Sequence, residues 1–599
     1  MSDIKITELP SVEDVNDDDE VVVQQGDGTK RAKISDLPVV ALARAYAEQA
    51  EEASARAEYG EVYYLLDGTL DTYRRTMKRW FGLNGVNVTT PEGLTALVDE
   101  WYEKTRTPWS GGVRFAQPDQ TSVSTGTKTG DNAGMVCIPS TNDSENRDDY
   151  KGLPLFAITL CNFEYDNTNK RPLITAIQDI TDGFELNNPD KLVGVLQQSG
   201  FHYYDEAETY YEHGVCATIE SGHDYCEPYP EAVEQDGTMR QWVLHAKYMS
   251  HVVDNKLTSY SGALPTPWMS ENILIDRKNS MNNGLCGGCI TDYAFLQLMF
   301  FVKYGQMTAD GLLQGCVNYN YQYCVAHGET GVTRVLLTST QANNIKVGST
   351  LEVGTYNGSS MDRNTASNYN ISGNHGLVVL SKEEVTIDGV TYVAINLDTD
   401  TTFDTVGDGT NTAGNTLVST FHWKNGTCDD VQGNDGSPAT PGNGQYPAML
   451  QGIEYSVGGY EVMADVIMYL DGTDYHCYKV DDVSLQHKSS YSNYEDIGLL
   501  SEQPATDSWN YIKKLGFAKG VFFATNTSGA SSSTYTRDGM YKNKSGTTGT
   551  REWLAFGYLL HGTGLAGLSP LDGAGGLGHA YWDFLARLSC NGNRGEWTA

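Results

Sequence analysis

Residues 551–597 read REWLAFGYLLHGTGLAGLSPLDGAGGLGHAYWDFLARLSCNGNRGEW. Short apolar and glycine steps recur through this stretch, and Tyr558, His561, Asp572, His579, Tyr581, Asp583 and Phe584 interrupt them. Glycine permits tight, irregular backbone, while aromatic, histidine and acidic side chains on loops are the usual equipment of a recognition surface. The segment predicts a stiff frame that displays contact residues. The competing reading is a glycine-rich strand and loop that only completes a core.

The rest of the chain sets the frame's context. Its 599 residues exceed one ordinary core, and at ~100 to 200 residues per domain they predict about three to five units. With 63 Gly, 37 Tyr, 39% hydrophobic and 20% charged residues, the composition is that of a β-rich, loop-rich protein. The 41 Lys and Arg stand against 77 Asp and Glu, a net charge of −36. Such a charge repels phosphate backbones and anionic bilayers, so neither nucleic acid nor a membrane surface is expected as partner. The start, MSDIKITELP, has no basic segment leading into an apolar run, and the longest apolar stretch, Ala294 to Val302, is too short for a bilayer. A soluble chain without membrane insertion is expected.

Eleven cysteines, an odd number spread thinly, do not form the pattern of a disulfide scaffold. Two subsets have ligand-like spacing: Cys286 with Cys289 as CxxC, and His213, Cys216, His223 and Cys226 as paired HxxC. Tetrahedral zinc needs four such donors to converge, and the alternative is ordinary buried or surface Cys and His. Asp398, Asp400, Asp404 and Asp408 offer carboxylates to calcium but lack the glutamate that closes an EF-hand loop, so a solvated loop is expected there. No bound metal or cofactor is assigned.

Texture divides the chain. Residues 1–38 hold a Val run, a Gly-Asp-Gly turn and a polar second strand, a small hairpin unit. Across 39–106 a seam runs through Leu42, Tyr46, Ala50, Ala53, Ala57, Gly60 and Tyr64, then shifts phase at Leu70, Tyr73, Met77 and Trp80. A further helix starts at Thr90-Pro91 and carries Leu94, Leu97, Val98 and Trp101. This pattern fits a helical hairpin packed on its own body or a self-associating coiled-coil stalk; the narrow, Ala-rich seam favours the stalk. Residues 107–325 and 441–599 alternate short strands with polar loops and include one buried helix, Asp292 to Tyr304. Residues 326–440 resemble an inserted β domain, with a hairpin turning at Asp388-Gly389 and Val393, Ile395 and Leu397 alternating behind it. The expected fold class is α+β.

Three resemblances sharpen this reading. The N-terminal ITELP, DDDEVVVQ and GTKRAKISDLP segments resemble the anchoring start of phage tail and head fibre proteins. The stretches 260–267, 296–320 and 445–472 resemble phage structural proteins whose body is a C-type-lectin-like fold of the formylglycine-generating-enzyme type, with Gly452, Ile453, Glu454 and Gly458 matching its GIE-x-x-x-G pattern. The C-terminus is similar to the variable end of phage receptor-binding proteins diversified by retroelements. By that resemblance the seven interrupting residues are exchangeable contacts, framed by Trp553, Gly557, Gly567, Leu568, Trp582, Ala586, Arg587, Leu588 and Gly592. Trp553 and Trp582 are expected in the core, because indoles are rarely left wet.

An enzyme is not expected. The copper-binding cysteine pair of the formylglycine-generating enzymes has no counterpart beyond the widely spaced Cys477 and Cys590. A tailspike glycan hydrolase is the competitor, on Asp205, Glu206 and Glu208 beside four tyrosines, since glycoside cleavage needs two suitably spaced carboxyls. A non-adhesive decoration protein of the virion is the third reading. The expectation is a virion adhesin, trimeric by its resemblance to fibres, attached through its N-terminus to other tail or head proteins. It would grip a host surface protein or glycan with residues 551–597.

Overall fold

Thr90 and Pro91 start a helix as the sequence predicts: the Thr90 hydroxyl accepts from the Gly93 amide at 3.2 Å, and Pro91 occupies the first turn, where no amide is needed. The computed structural model describes residues 69–598 except 86–87, 282–283, 370, 372–374, 471–474, 500–507, 543–547, 563–567, 569–570 and 574, together with the backbone of a hairpin near the N-terminus. Two units separate, Met1–Leu66 and Asp67–Ala599. In the first, Glu20–Gln25 pairs antiparallel with Gly28–Lys33, closing on Gln25 opposite Gly28.

The α+β expectation with a helical stalk is overturned. The described chain is mostly β, 34% strand against 14% helix, with five helices and no long stalk among the described residues. The first half of the seam, 39–68, lies outside the described residues. Its second half forms α1 (Leu70–Asn84), which packs on α2 (Pro91–Lys104) and on the β body. Tyr73 and Trp101 meet edge to face at 5.7 Å, and the Trp101 indole donates to the Tyr73 hydroxyl at 3.1 Å. From α2 the Thr95 hydroxyl accepts from Ile174 at 2.8 Å and Asp99 accepts from the Trp242 indole at 2.7 Å. A helical seam reports that one face is covered, not whether a sheet of the same chain or another copy covers it.

Four larger sheets build the second unit. Five strands run in the order Tyr225–Pro228, Phe201–Glu206, Tyr210–Cys216, Ser110–Ala116, Thr127–Gly130. Four more run Trp242–Ala246, Leu192–Gln198, Ile158–Asp166, Arg171–Ile177. A six-stranded sheet spans Gln322–Cys324 to Thr416–Thr420 and closes over its own core of Val335, Leu351, Val353, Ile395 and Val418. Its long hairpin turns at Asp388 (φ 49°) and Gly389 (φ 79°), the two left-handed positions that a two-residue turn of this hand requires. The eight-stranded sheet centres on Tyr460–Leu470 and Gly549–Ala555.

The remaining helices are α3 (Glu271–Met281), α4 (Ile290–Tyr304) and α5 (Ser339–Asn344). Every α4 residue except Tyr304 is buried, as its unbroken apolar run predicts. Phe301 meets Phe115 at 5.7 Å and Phe522 at 5.4 Å, and Tyr293 meets Phe556 at 5.0 Å, so one helix ties several sheets into a single core. Gly305, at φ 65°, caps α4 with its amide 2.8 Å from the Phe301 carbonyl, a left-handed position that suits glycine. Lys303 is fully buried, and its ammonium lies 3.1 Å from Asp148 and 2.7 Å from Asp435. No helix among the described residues is long and apolar enough to cross a membrane.

Candidate recognition site

The site begins at Gly458-Gly459, where the chain enters the central strand Tyr460–Leu470. Gly458 sits at φ 117°, and a Cβ there would come within 2.8 Å of the Leu559 side chain. The close approach lets Tyr460 pair in parallel with Phe584, while Val462 pairs with Leu554 across the antiparallel neighbour. Three sequence-distant segments, near residues 460, 558 and 584, therefore converge.

Aromatic rings fill the convergence. Tyr460 stacks on Tyr558 at 5.1 Å and meets Phe584 edge-on at 5.9 Å. His561 is edge-on to Tyr558 and to Trp509, each at 4.7 Å. The Tyr460 hydroxyl lies 2.8 Å from His561 Nε2 and 3.2 Å from Asp572. The phenol donating to the carboxylate and accepting from Nε2–H is the assignment that satisfies both contacts. His561 Nδ1 is then a buried acceptor with no partner among the described residues, and burial pushes the imidazole down to about 3. Burial raises Asp583 to about 7, its own backbone amide and Arg363 working against the shift and Asp572 adding to it. Glu552, buried with neither carboxylate oxygen partnered among the described residues, is pushed well above the usual carboxylate range by burial and by the charges of Asp572 and Asp583. Burial thus holds the His561 imidazole, the Glu552 carboxyl and, in part, the Asp583 carboxyl toward their neutral forms, beside the hydrogen-bonded Tyr460 phenol.

The seven sequence-predicted contact residues divide by exposure. His579 and Tyr581 are exposed, Tyr581 by 43%. Tyr558, His561 and Asp572 are half-buried. Asp583 and Phe584 are buried, which corrects their reading as displayed contacts: Phe584 is in a strand, and the Asp583 carbonyl accepts from the Tyr460 amide at 2.7 Å. A ring path links the surface to the interior, His579 to Tyr581 at 6.0 Å, Tyr581 to Phe584 at 5.2 Å, then Tyr460.

Beneath this path the frame is pinned. Trp553 and Trp582 are buried, as expected of indoles. Trp582 stacks on His422 at 5.4 Å, the Arg363 guanidinium lies 4.3 Å over its ring, and its amide donates to Asn364 at 3.0 Å. Arg587 spends its donors on Glu461, on the carbonyls of Ala246, Lys247 and Glu454, and on Met249. Arg594 bonds Asp465 at 3.2 Å and Asp481 at 2.8 Å. Sequence reasoning missed Tyr460, Trp509 and Arg363. Tyr460 had one signal, its place directly after the glycines of the GIE-x-x-x-G pattern; the other two arrive from distant loops that no local pattern ties to residues 551–597.

The metal candidates do not assemble as four-donor sites. On the strand Tyr210–Cys216, His213 and Cys216 are three apart and so point to opposite faces. Cys216 faces Cys226 at 3.9 Å, whereas His213 lies 3.1 Å from His202, and His223 is held by Asp205 at 2.7 Å. Cys286 and Cys289 lie 3.7 Å apart, both buried, without histidine or carboxylate completing a trio among the described residues. Three of the four loop aspartates accept backbone hydrogen bonds, Asp398 from Val378, Asp404 from Gly331 and Asp408 from Thr410, and Asp400 is exposed. The one trio with metal-like spacing among the described residues is Cys137, Asp148 and Asp435, where the Lys303 ammonium already supplies the positive charge. All eleven cysteines are free thiols.

Of the three carboxylates that favoured a hydrolase, Asp205 and Glu206 are engaged, and Glu208 is exposed. Burial would raise Glu206, but Lys514, Tyr204 and Gln117 hold it down at about 2; a general acid needs a proton at working pH. Asp205 is bound to His223 and to the Asp224 amide. No protein-family model matches this chain, and no curated protein matches it in sequence.

Proposed function

We propose that the chain is a phage virion adhesin that attaches to a host surface protein or glycan through its C-terminal face, with His579 and Tyr581 as leading contacts and Tyr558, His561 and Asp572 behind them. One observation carries the reading: exposed His579 and Tyr581 lead into Trp582, which is buried and fixed by Arg363, His422 and Asn364. Side chains can change at the first two positions at little cost to the frame, because surface substitutions typically shift stability by no more than about 0.5 kcal/mol. Tyrosine and histidine give large contact area for few lost rotamers. The N-terminal segment, by its likeness to fibre anchors, joins the protein to other virion components, and a homotrimer raises weak single-site affinities into avidity.

The test is binding of the full-length labelled protein to a panel of bacterial strains, with released reducing sugar assayed in parallel. Saturable binding to a subset of strains without sugar release supports an adhesin. Sugar release identifies a hydrolase, and binding to no strain leaves decoration as the better reading.

A further inference from the structure

Between α1 and the body lies a cleft of about 370 Å³, within the roughly 300 to 1,000 Å³ of small-molecule sites. One wall is cationic. Arg74, Arg75 and Lys78 share a flank of α1 through i,i+3 and i,i+4 spacing, line the cleft and have no carboxylate partner among the described residues. On the floor Lys247 is 3% exposed, its ammonium 3.3 Å from Asp429, 3.2 Å from the Gly452 carbonyl and 3.7 Å from the Met449 sulfur. Asp429 is already committed, accepting from the Tyr248 and Ser261 hydroxyls at 2.6 Å each. Asn434, also buried and lining the floor, has an amide nitrogen without an acceptor among the described residues. The opposing acid is Asp179, exposed on the far wall. Four cations and an unspent donor thus face two carboxylates, in a chain whose net charge is −36. Local positive potential of this kind concentrates anions.

The apolar lining selects the rest of the ligand. Met77, Leu160, Ile180 and Met449 contribute, and the lining holds no aromatic ring on which a sugar or base would stack. We propose that the cleft binds a small amphiphilic anion, an aliphatic body bearing a carboxylate, sulfate or phosphate head, with the head drawn to the α1 cations and the body against Leu160, Ile180 and Met449. This site is separate from the C-terminal face.

Calorimetric titration of the full chain with decanoate, decyl phosphate, decanol and inorganic phosphate tests it. One decanoate or decyl phosphate should bind per chain, the tighter of the two naming the head. Decanol and inorganic phosphate should each bind at least about tenfold more weakly. Arg74→Glu with Lys78→Glu, both exposed, should leave the melting temperature unchanged and weaken the amphiphile at least about tenfold. Equal affinity for decanol and decanoate, no effect of the double variant, or no binding of either amphiphile overturns the proposal.

Discussion

Arg587 holds Glu461 through both carboxylate oxygens at 3.3 Å, with each side chain only 3% exposed. The pair joins the last segment of the chain to the central strand Tyr460–Leu470. Removing one member of a buried pair strands the other charge, at about 3 to 5 kcal/mol. Arg587→Met should lose about that much in denaturant unfolding, and adding Glu461→Leu should recover part of the loss. A single variant as stable as the wild type would show that the pair does not hold the frame.

Trp582 and its neighbours should separate cleanly. Trp582→Ala empties a buried site and should cost about 3 to 5 kcal/mol. His579→Ala and Tyr581→Ala should stay within about 0.5 kcal/mol of the parent. Thermal melts of the three single variants decide this, and equal losses at all three positions would contradict the division into frame and display.

Asp583 should make stability depend on pH. Its folded-state value is about 7 against 3.8 for the ordinary carboxyl, so the folded state holds the proton more tightly. The stabilising contribution is full below pH 3.8 and is lost as pH rises through 7. Relative to Asp583→Asn, the wild type should therefore lose stability between about pH 5 and pH 8. His561 works in the opposite sense: lowered from 6.5 to about 3, it contributes fully above 6.5 and loses that contribution as pH falls toward 3. Parallel unfolding curves for wild type, Asp583→Asn and His561→Phe across this range measure both slopes.

Lys303 is the cation of a three-ligand pocket. Lys303→Met should cost about 3 to 5 kcal/mol, since Asp148 and Asp435 stay buried without their partner. Cys137, Asp148 and Asp435 have ligand atoms within 4.8 Å of one another, so added Zn²⁺ should restore part of the melting temperature in the variant and none in the wild type. A variant indifferent to zinc would mean that the trio is not arranged as a ligand set.

What was legible followed from local chemistry. The Thr90-Pro91 helix start, the buried α4 and the Asp388-Gly389 turn each depend on a few adjacent residues. The predicted stalk failed because Tyr73, Met77, Trp80 and Trp101 form a seam that a neighbouring sheet of the same chain covers as well as another helix would. Asp583 and Phe584 are buried rather than displayed because Phe584 pairs with Tyr460 on the central strand and the Asp583 carbonyl accepts from the Tyr460 amide, a pairing that no local pattern shows. His213 and Cys216 do not converge because HxxC spacing that brings donors together in a turn sends them to opposite faces in a strand.

Attachment by the displayed residues is decided by one comparison: equilibrium cell binding of the wild type and of the His579→Ala/Tyr581→Ala double variant, both shown to melt at the same temperature, on a strain that binds the wild type. The expected result is a loss of at least about tenfold in affinity, the effect of removing two central contacts. Unchanged binding by a fully folded double variant would contradict the assignment of recognition to this face.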